Sequence, residues 1–149
     1  MRYSKRLVLC LILLLGFTAC SQQGVAELME NYLWEKRVLL VFSDSAENEH
    51  YASQQFSLTE SVAGMKERDL VVWSFIVNQE VSVEGKSKAH LGTSRFYDYF
   101  NVRENGFTII LLGKDGEEKH RQNTALSMPE LFSMIDAMPM RQREIRKDQ

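Results

Sequence analysis

The amino-acid sequence predicts an α/β sandwich in which helices cover both faces of a mixed, four-stranded sheet. Two apolar runs, residues 38–42 and 70–77, show no polar alternation, which is typical of parallel strands buried on both faces. Apolar residues at helical spacing precede and separate these runs. A third apolar run, residues 107–112, is followed by Asp115-Gly116, a dipeptide typical of the tight turn in an antiparallel hairpin. The predicted order is therefore α-β-α-β-α-β-β-α, which makes a three-layer sandwich.

The first two predicted helices flank the strand at residues 38–42. The first covers residues 25–34, where apolar side chains recur at helical spacing: Val25, Leu28, Met29 and Tyr32. Asp44 stands three residues before Glu47, a spacing typical of a capping box at the start of a helix. Behind it the same apolar spacing continues at Tyr51, Leu58, Val62 and Met65. Gly64 is expected to end this second helix.

The middle of the chain is more polar. Residues 78–92 are predicted to form a loop with at most a short irregular strand. Thr93 or Ser94 can cap a short helix over residues 95–102. After the third apolar run and its turn, residues 117–121 should return as an antiparallel strand.

The last predicted helix begins at a capping box formed by Ser127 and Glu130, with Pro129 in its first turn. Pro139 cannot continue this helix, so the chain should turn away there. The basic residues beyond it are predicted to lie on a solvated helix end: Arg141, Arg143, Arg146 and Lys147. Three large aromatic residues are assigned to the core: Trp34, Trp73 and Phe132.

The N-terminus has the layout of a secretory signal peptide, with a basic leader, an apolar stretch at residues 7–15 and the small residues Thr18 and Ala19. The apolar stretch is shorter than the ~20 residues that span a bilayer. The segment FTAC, ending at Cys20, resembles the bacterial lipoprotein box, although Phe17 replaces the usual Leu, Val or Ile. This resemblance implies cleavage before Cys20 and lipidation of its thiol. Two alternatives stay open: an ordinary signal peptide and an uncleaved anchor.

These features predict a periplasm-facing, lipid-anchored protein. By the same resemblance, Ser21 permits sorting to the outer membrane. The expected organisation is a signal peptide, a lipidated linker, one folded domain and a basic tail, at residues 1–19, 20–24, 25–140 and 141–149. Cleavage before Cys20 would remove three basic residues and no acidic ones. The mature domain would then be more acidic than the full chain, whose net charge is −2. Nucleic-acid binding, which positive charge drives, is therefore not expected.

The only cysteines are Cys10, inside the predicted signal peptide, and Cys20. The mature domain would then contain neither a free thiol nor a disulfide, although an exported compartment permits disulfides. It therefore offers no side chain for a thiol redox cycle.

The predicted order of helices and strands resembles the thioredoxin-like fold. Members of that group carry two cysteines at the helix start that follows the first core strand, where the helix end lowers the thiol pKa. In this sequence those places fall near Glu47 and His50. The group also carries a cis-proline before the strand that enters the hairpin, about where Phe107 stands. Both features are missing, so the resemblance implies the fold without the redox activity.

A narrower resemblance extends over most of the mature chain. It is carried by Trp34, residues 37–42, residues 68–70, residues 112–116 with Lys119, and residues 135–141. These segments resemble an exported domain family of unknown function with a thioredoxin-like fold. The family occurs as small bacterial proteins and as C-terminal domains of animal sushi-repeat-containing and coiled-coil-domain extracellular matrix proteins. The resemblance implies a fold and an exported setting, and by analogy alone a role in binding or adhesion.

The best local candidate for chemistry is the cluster of Glu47, Glu49 and His50. A carboxylate and an imidazole at a helix start can act in acid–base chemistry or bind a ligand. The alternative is a solvated first turn, in which acidic residues suit the helix dipole. Arg68 and Asp69 could also line a ligand pocket, or they could form ion pairs and caps at strand and helix ends. No catalytic residue, metal site or cofactor is predicted.

The sequence thus predicts a redox-inactive binding or structural module in the bacterial envelope. Its expected partners are the membrane, through lipidated Cys20, and an envelope protein. The alternative function is a non-thiol enzyme, or a metal or ligand site, at the turn between Glu47 and His50.

Overall fold

The structure is a computed structural model that describes residues 20–147. The predicted signal peptide, residues 1–19, lies outside the described residues, and so do the side chains of residues 20–23 and the last two residues of the predicted tail. None of the helices between residues 20 and 147 combines the length and the apolar character that crossing a bilayer requires.

Helices and strands alternate as the predicted α/β class requires, and this class is confirmed. The helices are α1 (Cys20–Glu30), α2 (Glu49–Glu60), α3 (Val62–Glu67), α4 (Ser94–Tyr99), α5 (Met128–Asp136) and α6 (Pro139–Lys147). The strands are β1 (Arg37–Ser43), β2 (Leu70–Ile76), β3 (Glu80–Val83), β4 (Lys86–Gly92), β5 (Phe107–Leu112) and β6 (Glu118–Gln122).

The strands form one mixed sheet in the order β4-β3-β2-β1-β5-β6. Strands β1 and β2 are parallel, with Leu40 opposite Trp73, whereas β1 and β5 are antiparallel, with Leu40 opposite Ile110. The predicted hairpin of β5 and β6 is confirmed. The only parallel pair among the described strands lies at the centre, where both faces of the sheet are covered.

The sheet has six strands rather than the four predicted, because residues 78–92 form a hairpin instead of a loop. Val81 and Val83 are buried on one face of β3, and β4 pairs with it antiparallel. The turn between them places Glu84 and Gly85 at φ values of 50° and 76°, in the left-handed region. A turn of this kind usually carries Asn-Gly or Asp-Gly, so Glu84-Gly85 gave no recognisable signal.

Each face of the sheet buries its own apolar core. One face places Leu40, Phe42, Trp73 and Phe75 with side chains of α1 and α4. The opposite face places Leu39, Val41, Ile109 and Leu111 with side chains of α2 and α5. Adjacent residues of β1 thus belong to different cores, because successive strand side chains point to opposite faces.

The first helix begins at Cys20 and ends at Glu30, earlier at both ends than predicted. The core assignment of Trp34 is wrong, since this side chain is 66% exposed. Trp34 adopts a φ of 66°, and its N–H donates to the carbonyl of Lys114 at 2.6 Å. This left-handed residue turns the chain out of α1 toward β1. The prediction for Trp73 is confirmed, because that ring is buried.

Helix α2 is capped by Asn48 rather than by the predicted Asp44. The Asn48 Oδ1 accepts hydrogen bonds from the backbone N–H groups of His50 and Tyr51. Asp44 instead accepts from the side chain of Asn48 at 3.0 Å and from the N–H of Gly106 at 2.9 Å. Asp44 therefore fixes the cap and a distant loop at the same time.

Gly64 does not end the helix as predicted, because it lies inside α3. A methyl group at this position would stand 2.6 Å from Cε2 of the Phe132 ring. Glycine is thus explained here by the close approach of α5 rather than by helix termination. Phe132 is half-buried against the core.

The C-terminal capping prediction is confirmed, since the Ser127 hydroxyl accepts from the N–H of Glu130 and α5 ends before Pro139. The chain then starts a new helix, α6, which runs across the predicted domain boundary at residue 140. The solvated interpretation of the tail is wrong for Arg141, which is buried among ion pairs. Arg143, Arg146 and Lys147 are exposed.

Candidate functional site

The turn after β1 is the place where the sequence suggested chemistry. Glu47 and His50 are both exposed, and neither side chain forms a hydrogen bond or ion pair with any residue that the structure describes. Glu47 precedes α2, and the His50 ring lies near Phe107 with 5.8 Å between ring centroids. Among residues 20–147 no group of three His, Cys, Asp or Glu side chains is arranged to hold a metal ion.

Beneath this turn, the buried hydroxyl of Tyr97 joins the carboxyl ends of the two parallel strands. It lies 2.8 Å from the carbonyl oxygen of Ser43 and 3.1 Å from that of Phe75. Burial raises the pKa of Tyr97 above its ordinary value, so the hydroxyl remains a neutral donor at any physiological pH. The strand ends are therefore closed by a structural hydrogen bond.

A dense set of ionic side chains lies at the opposite end of the sheet, where β1 and β2 begin and β5 ends. We refer to it as the charge cluster. Its cations are Lys36, Arg37, Arg68, Lys114 and Arg141, and its carboxylates are Glu67, Asp69, Asp136 and Glu144.

Arg37 and Lys114 form the buried centre of the charge cluster. Arg37 is fully buried, and its Nη1 and Nη2 donate to the two carboxylate oxygens of Glu144, each at 3.2 Å. Its Nη1 also donates to the carbonyl of Arg68 at 2.8 Å. The Lys114 Nζ lies 2.8 Å from a carboxylate oxygen of Glu144 and 2.8 Å from one of Asp69. The carboxylate of Glu144 in α6 thus connects the start of β1 with the end of β5.

The outer part of the charge cluster ties α5 and α6 to the segment before β2. Arg68 donates to Asp136 at 2.6 Å, and its guanidinium lies 4.3 Å above the centre of the Phe132 ring. Arg141 donates to the same Asp136 at 3.2 Å and to Glu67 at 2.6 Å. Arg68 therefore forms an ion pair and a cation–π contact between the ends of α3 and α5.

Asp69 has the same structural role. Its two oxygens accept from Lys36 at 3.0 Å and from Lys114 at 2.8 Å. Burial alone would raise the pKa of Asp69, but the hydrogen bonds from these lysines outweigh it, so the pKa lies below its ordinary value. For the same reasons the pKa values of Asp136 and Glu144 are also lowered.

The segments that carry the family resemblance converge on this charge cluster. Arg37, Arg68, Lys114 and Arg141 come from four different segments of the sequence and lie together only in the fold. Sequence reasoning missed Glu144 as a member, because it is separated from its partner Arg37 by 107 residues. No local spacing could reveal such a pair.

A groove of about 880 Å³ lies beside α2, where the sheet extends beyond the helices toward β3. Its floor is formed by Val72, Ser74 and Ser82. Its wall carries Tyr51, Gln55 and Thr59, spaced by four residues along α2, with the apolar Val62 beyond them. Gln55 donates to the Ser74 hydroxyl at 3.0 Å. Of the four residues that the sequence suggested for ligand binding, Asp69 lines this groove beside its partner Lys36, whereas Glu47, His50 and Arg68 do not.

Sequence reasoning did not find this groove. Its lining includes Ser82, Glu84 and Gly85 of the β3–β4 hairpin. Because the sequence did not predict this hairpin, it could not predict the shape of the groove. The four-residue spacing of Tyr51, Gln55 and Thr59 was the available signal, because side chains at that spacing share one helix face. Hydroxyl and amide groups beside apolar side chains are the usual lining of a ligand site.

Solved structures with a similar fold include peroxiredoxins. The structure of the reduced 2-Cys peroxiredoxin of Plasmodium vivax matches with a TM-score of 0.59 at 15% identity, and covers 76% of this chain and 83% of that one. Thioredoxin peroxidase I of Plasmodium yoelii matches with a TM-score of 0.57 at 16% identity, over 76% of this chain and 79% of the other. At such low identity these matches show a thioredoxin-like fold and nothing of the activity.

A curated relative is coiled-coil domain-containing protein 80 of Danio rerio, which is 22% identical over 146 residues. The match covers 85% of this chain but only 17% of the fish protein, so the chain spans about a sixth of that relative's length. Residues 28–144 match the family described as domain of unknown function DUF4174. This match includes the strands, the charge cluster and most of α6, and the chain therefore belongs to that family.

Proposed function

We propose that this protein is an envelope lipoprotein whose thioredoxin-like domain acts as a binding or structural module without thiol chemistry. The observation that carries the proposal is the closed turn after β1. Asn48 caps α2 there, Tyr97 joins the strand ends, and the sequence contains no cysteine after Cys20. Thiol redox reactions need a thiolate, and once the thiol of Cys20 carries a lipid the folded domain contains no residue that could form one.

The groove beside α2 supports the binding part of the proposal. It combines a floor of one valine and two serine side chains with a wall of amide, hydroxyl, phenol and apolar groups. Val62 at its edge is 59% exposed, and Phe56, one residue after the groove-lining Gln55, is 70% exposed. Exposed apolar groups beside a concave polar surface are typical of a protein–ligand or protein–protein contact.

The envelope part of the proposal is supported by the N-terminal sequence. The N-terminus has the basic, apolar and small-residue order of a signal peptide, and its FTAC segment would be lipidated at Cys20. The lipid would anchor the domain on the periplasmic side of a membrane, and Ser21 would permit sorting to the outer membrane. Several acyl chains on one residue anchor stably, whereas a single chain binds reversibly.

Redox activity is tested with the purified full chain in detergent, assayed for hydrogen peroxide reduction and for insulin disulfide reduction. We expect neither reaction above the protein-free rate, with an active thioredoxin as the positive control. Turnover that thiol alkylation abolishes would contradict the proposal.

The binding role is tested by photo-crosslinking in cells, with benzoylphenylalanine placed either at Thr59 in the groove or at Glu130, an exposed residue of α5. We expect a discrete adduct from Thr59 and none from Glu130. Equal labelling from both positions, or none from either, would argue against the groove as the binding surface.

A further inference from the structure

Strand β2 has a free edge along its first half. Strand β3 pairs with β2 only at Trp73 and Ser74. Beyond them the N–H of Glu84 donates to the Val72 carbonyl at 2.9 Å, and the chain then turns back into β4. The β3–β4 hairpin therefore does not reach Leu70, and the start of β2 lies at an edge of the sheet.

The backbone of Leu70 faces this free edge. Neighbouring residues of a strand direct their N–H and C=O groups to opposite sides. The Asp69 carbonyl accepts from the N–H of Arg37 in β1 at 2.9 Å, so the N–H and C=O of Leu70 point away from β1. Among residues 20–147 neither group has a backbone partner on that side. An open strand edge is a template for a further strand, which would supply the missing donor and acceptor.

The groove beside α2 encloses this edge, since residues 70–72 belong to its lining. On the face of the sheet that α2 and α3 cover, the lining next to the edge is apolar, with Leu58, Val62 and Met65. Val62 is exposed and available for contact. Lys66 is an exposed cation on the same side, so it disfavours a basic side chain there.

On the opposite face the lining is aromatic and acidic. Tyr32 and Glu35 follow α1, and Glu84 lies at the hairpin turn. Burial raises the pKa of Tyr32, and the charge of Glu84 adds to the rise because that carboxylate lies near the phenol. Glu35 and Glu84 are exposed and form no ion pair with any residue that the structure describes. The remaining charged residues of the lining, Lys36 and Asp69, are paired with each other.

We infer that the free edge of β2 pairs with an extended peptide segment of a partner protein, in which apolar residues alternate with lysine or arginine. Alternate side chains of a strand point to opposite faces of the sheet. The apolar side chains then lie against Val62 and Met65, and the basic ones lie beside Glu35 and Glu84. Backbone hydrogen bonds to Leu70 supply affinity, and the two different faces supply selectivity. The inference rests on the binding role proposed for the groove and specifies the kind of partner.

The test uses the full chain in a non-ionic detergent and a fluorescent, end-blocked heptapeptide of alternating lysine and valine. Fluorescence anisotropy measures its binding. The control peptide has the same composition, but its valines are grouped together. We expect the alternating peptide to bind about tenfold more tightly, because only its apolar and basic side chains separate onto the two faces. Equal binding of the two peptides, or none by either, would overturn the inference.

Backbone N-methylation separates strand pairing from attraction between charges. The N–H groups of alternate residues in an extended peptide point to the same side. Methylating either every valine nitrogen or every lysine nitrogen therefore blocks one edge of the peptide and leaves the other edge free. We expect one of these two peptides to bind as the unmethylated peptide does and the other to bind at least about tenfold more weakly. Equal binding by both would contradict pairing with β2.

Protein variants test the acidic face. Glu35→Gln and Glu84→Gln should each weaken binding of the alternating peptide about threefold, whereas Glu130→Gln, outside the groove on α5, should leave it unchanged. Unchanged binding in both groove variants would overturn the basic pattern assigned to the partner. A crosslink from Thr59 in cells without any peptide binding would reject strand pairing and keep the groove as a binding surface. Loss of both signals would reject both proposals.

Discussion

Neighbouring polar residues in the turn after β1 contribute very differently to the fold. Asn48 accepts hydrogen bonds from two backbone N–H groups at the start of α2 and donates one to the Asp44 carboxylate. Glu47, one residue earlier, is exposed and forms no side-chain hydrogen bond with the described residues. The sequence spacing suggested Asp44 as the cap because a carboxylate three residues before a glutamate matches a capping box. The side-chain oxygen of Asn48 accepts these hydrogen bonds instead, from the N–H groups of His50 and Tyr51. Asp44 holds the Asn48 side chain in place by accepting a hydrogen bond from its amide nitrogen.

We expect Asn48→Ala to lower the free energy of unfolding by about 1 kcal/mol, since it leaves the first N–H groups of α2 without their cap. Glu47→Gln and His50→Gln should each change it by less than about 0.5 kcal/mol. Urea unfolding followed by circular dichroism measures all three variants. A loss for Glu47→Gln as large as that for Asn48→Ala would show that the turn has a role that its contacts do not reveal.

Gly64 offers a second test at the scale of one residue. A Cβ there would lie 2.6 Å and 2.7 Å from two atoms of the Phe132 ring, which is itself held beneath Arg68. Gly64→Ala should therefore destabilise the domain by about 1–3 kcal/mol despite the better helix propensity of alanine. Gly92→Ala is the matched control, because no atom lies within 4 Å of its added methyl group. Equal stability of the two variants would contradict this close contact.

At the scale of elements, the sequence predicted those parts whose signals are local. The continuous apolar runs of β1, β2 and β5 were recognisable because both faces of these strands are covered. Asp115-Gly116 predicted its turn because Gly116 adopts a φ of 77° and Asp115 accepts from the N–H of Glu117. The β3–β4 hairpin escaped prediction because Glu84 supplies its left-handed turn residue, for which glutamate is an unusual choice.

The carboxylates of the charge cluster, one of which lies on α6, predict how the stability of the fold changes at acid pH. The hydrogen-bonded carboxylates of Asp69, Asp136 and Glu144 have pKa values below their ordinary ones in the folded chain. Groups of this kind stabilise the fold fully above their unfolded pKa of about 4, and this stability is lost as the pH falls through the lower folded values. We expect the melting temperature to be nearly constant from about pH 7 to pH 5 and to fall steadily below about pH 4.

Glu144→Gln should reduce this acid dependence, because it removes one of the titrating groups that bind Arg37 and Lys114. Glu130→Gln, an exposed carboxylate in the first turn of α5, is the matched control and should keep the wild-type profile. Melting curves from pH 7 to pH 3 give the comparison. Identical profiles for the two variants would mean that Glu144 does not contribute to acid unfolding.

At the scale of the whole molecule, the two ends of the sheet have different characters. At the carboxyl ends of β1 and β2, Tyr97 and Asn48 close the turn, and the exposed Glu47 and His50 do not converge in a shared pocket. At the opposite end the charge cluster joins segments that are far apart in sequence. Sequence reasoning pointed to the first end because its residues are contiguous. The second end could be predicted only as separate charged residues, since ion pairing across the fold depends on strand register.

The predicted anchor concerns the whole molecule because it decides where the groove would act. If Cys20 is lipidated, cells supplied with a labelled fatty acid should give a labelled, membrane-bound protein. Cys20→Ala should lose the label and stay unprocessed, while Cys10→Ala, inside the predicted signal peptide, should be labelled and processed as the wild type is. A wild-type protein that is cleaved, unlabelled and released would instead indicate an ordinary signal peptide. A label that persists in Cys20→Ala would place the modification on another residue and contradict the lipoprotein assignment.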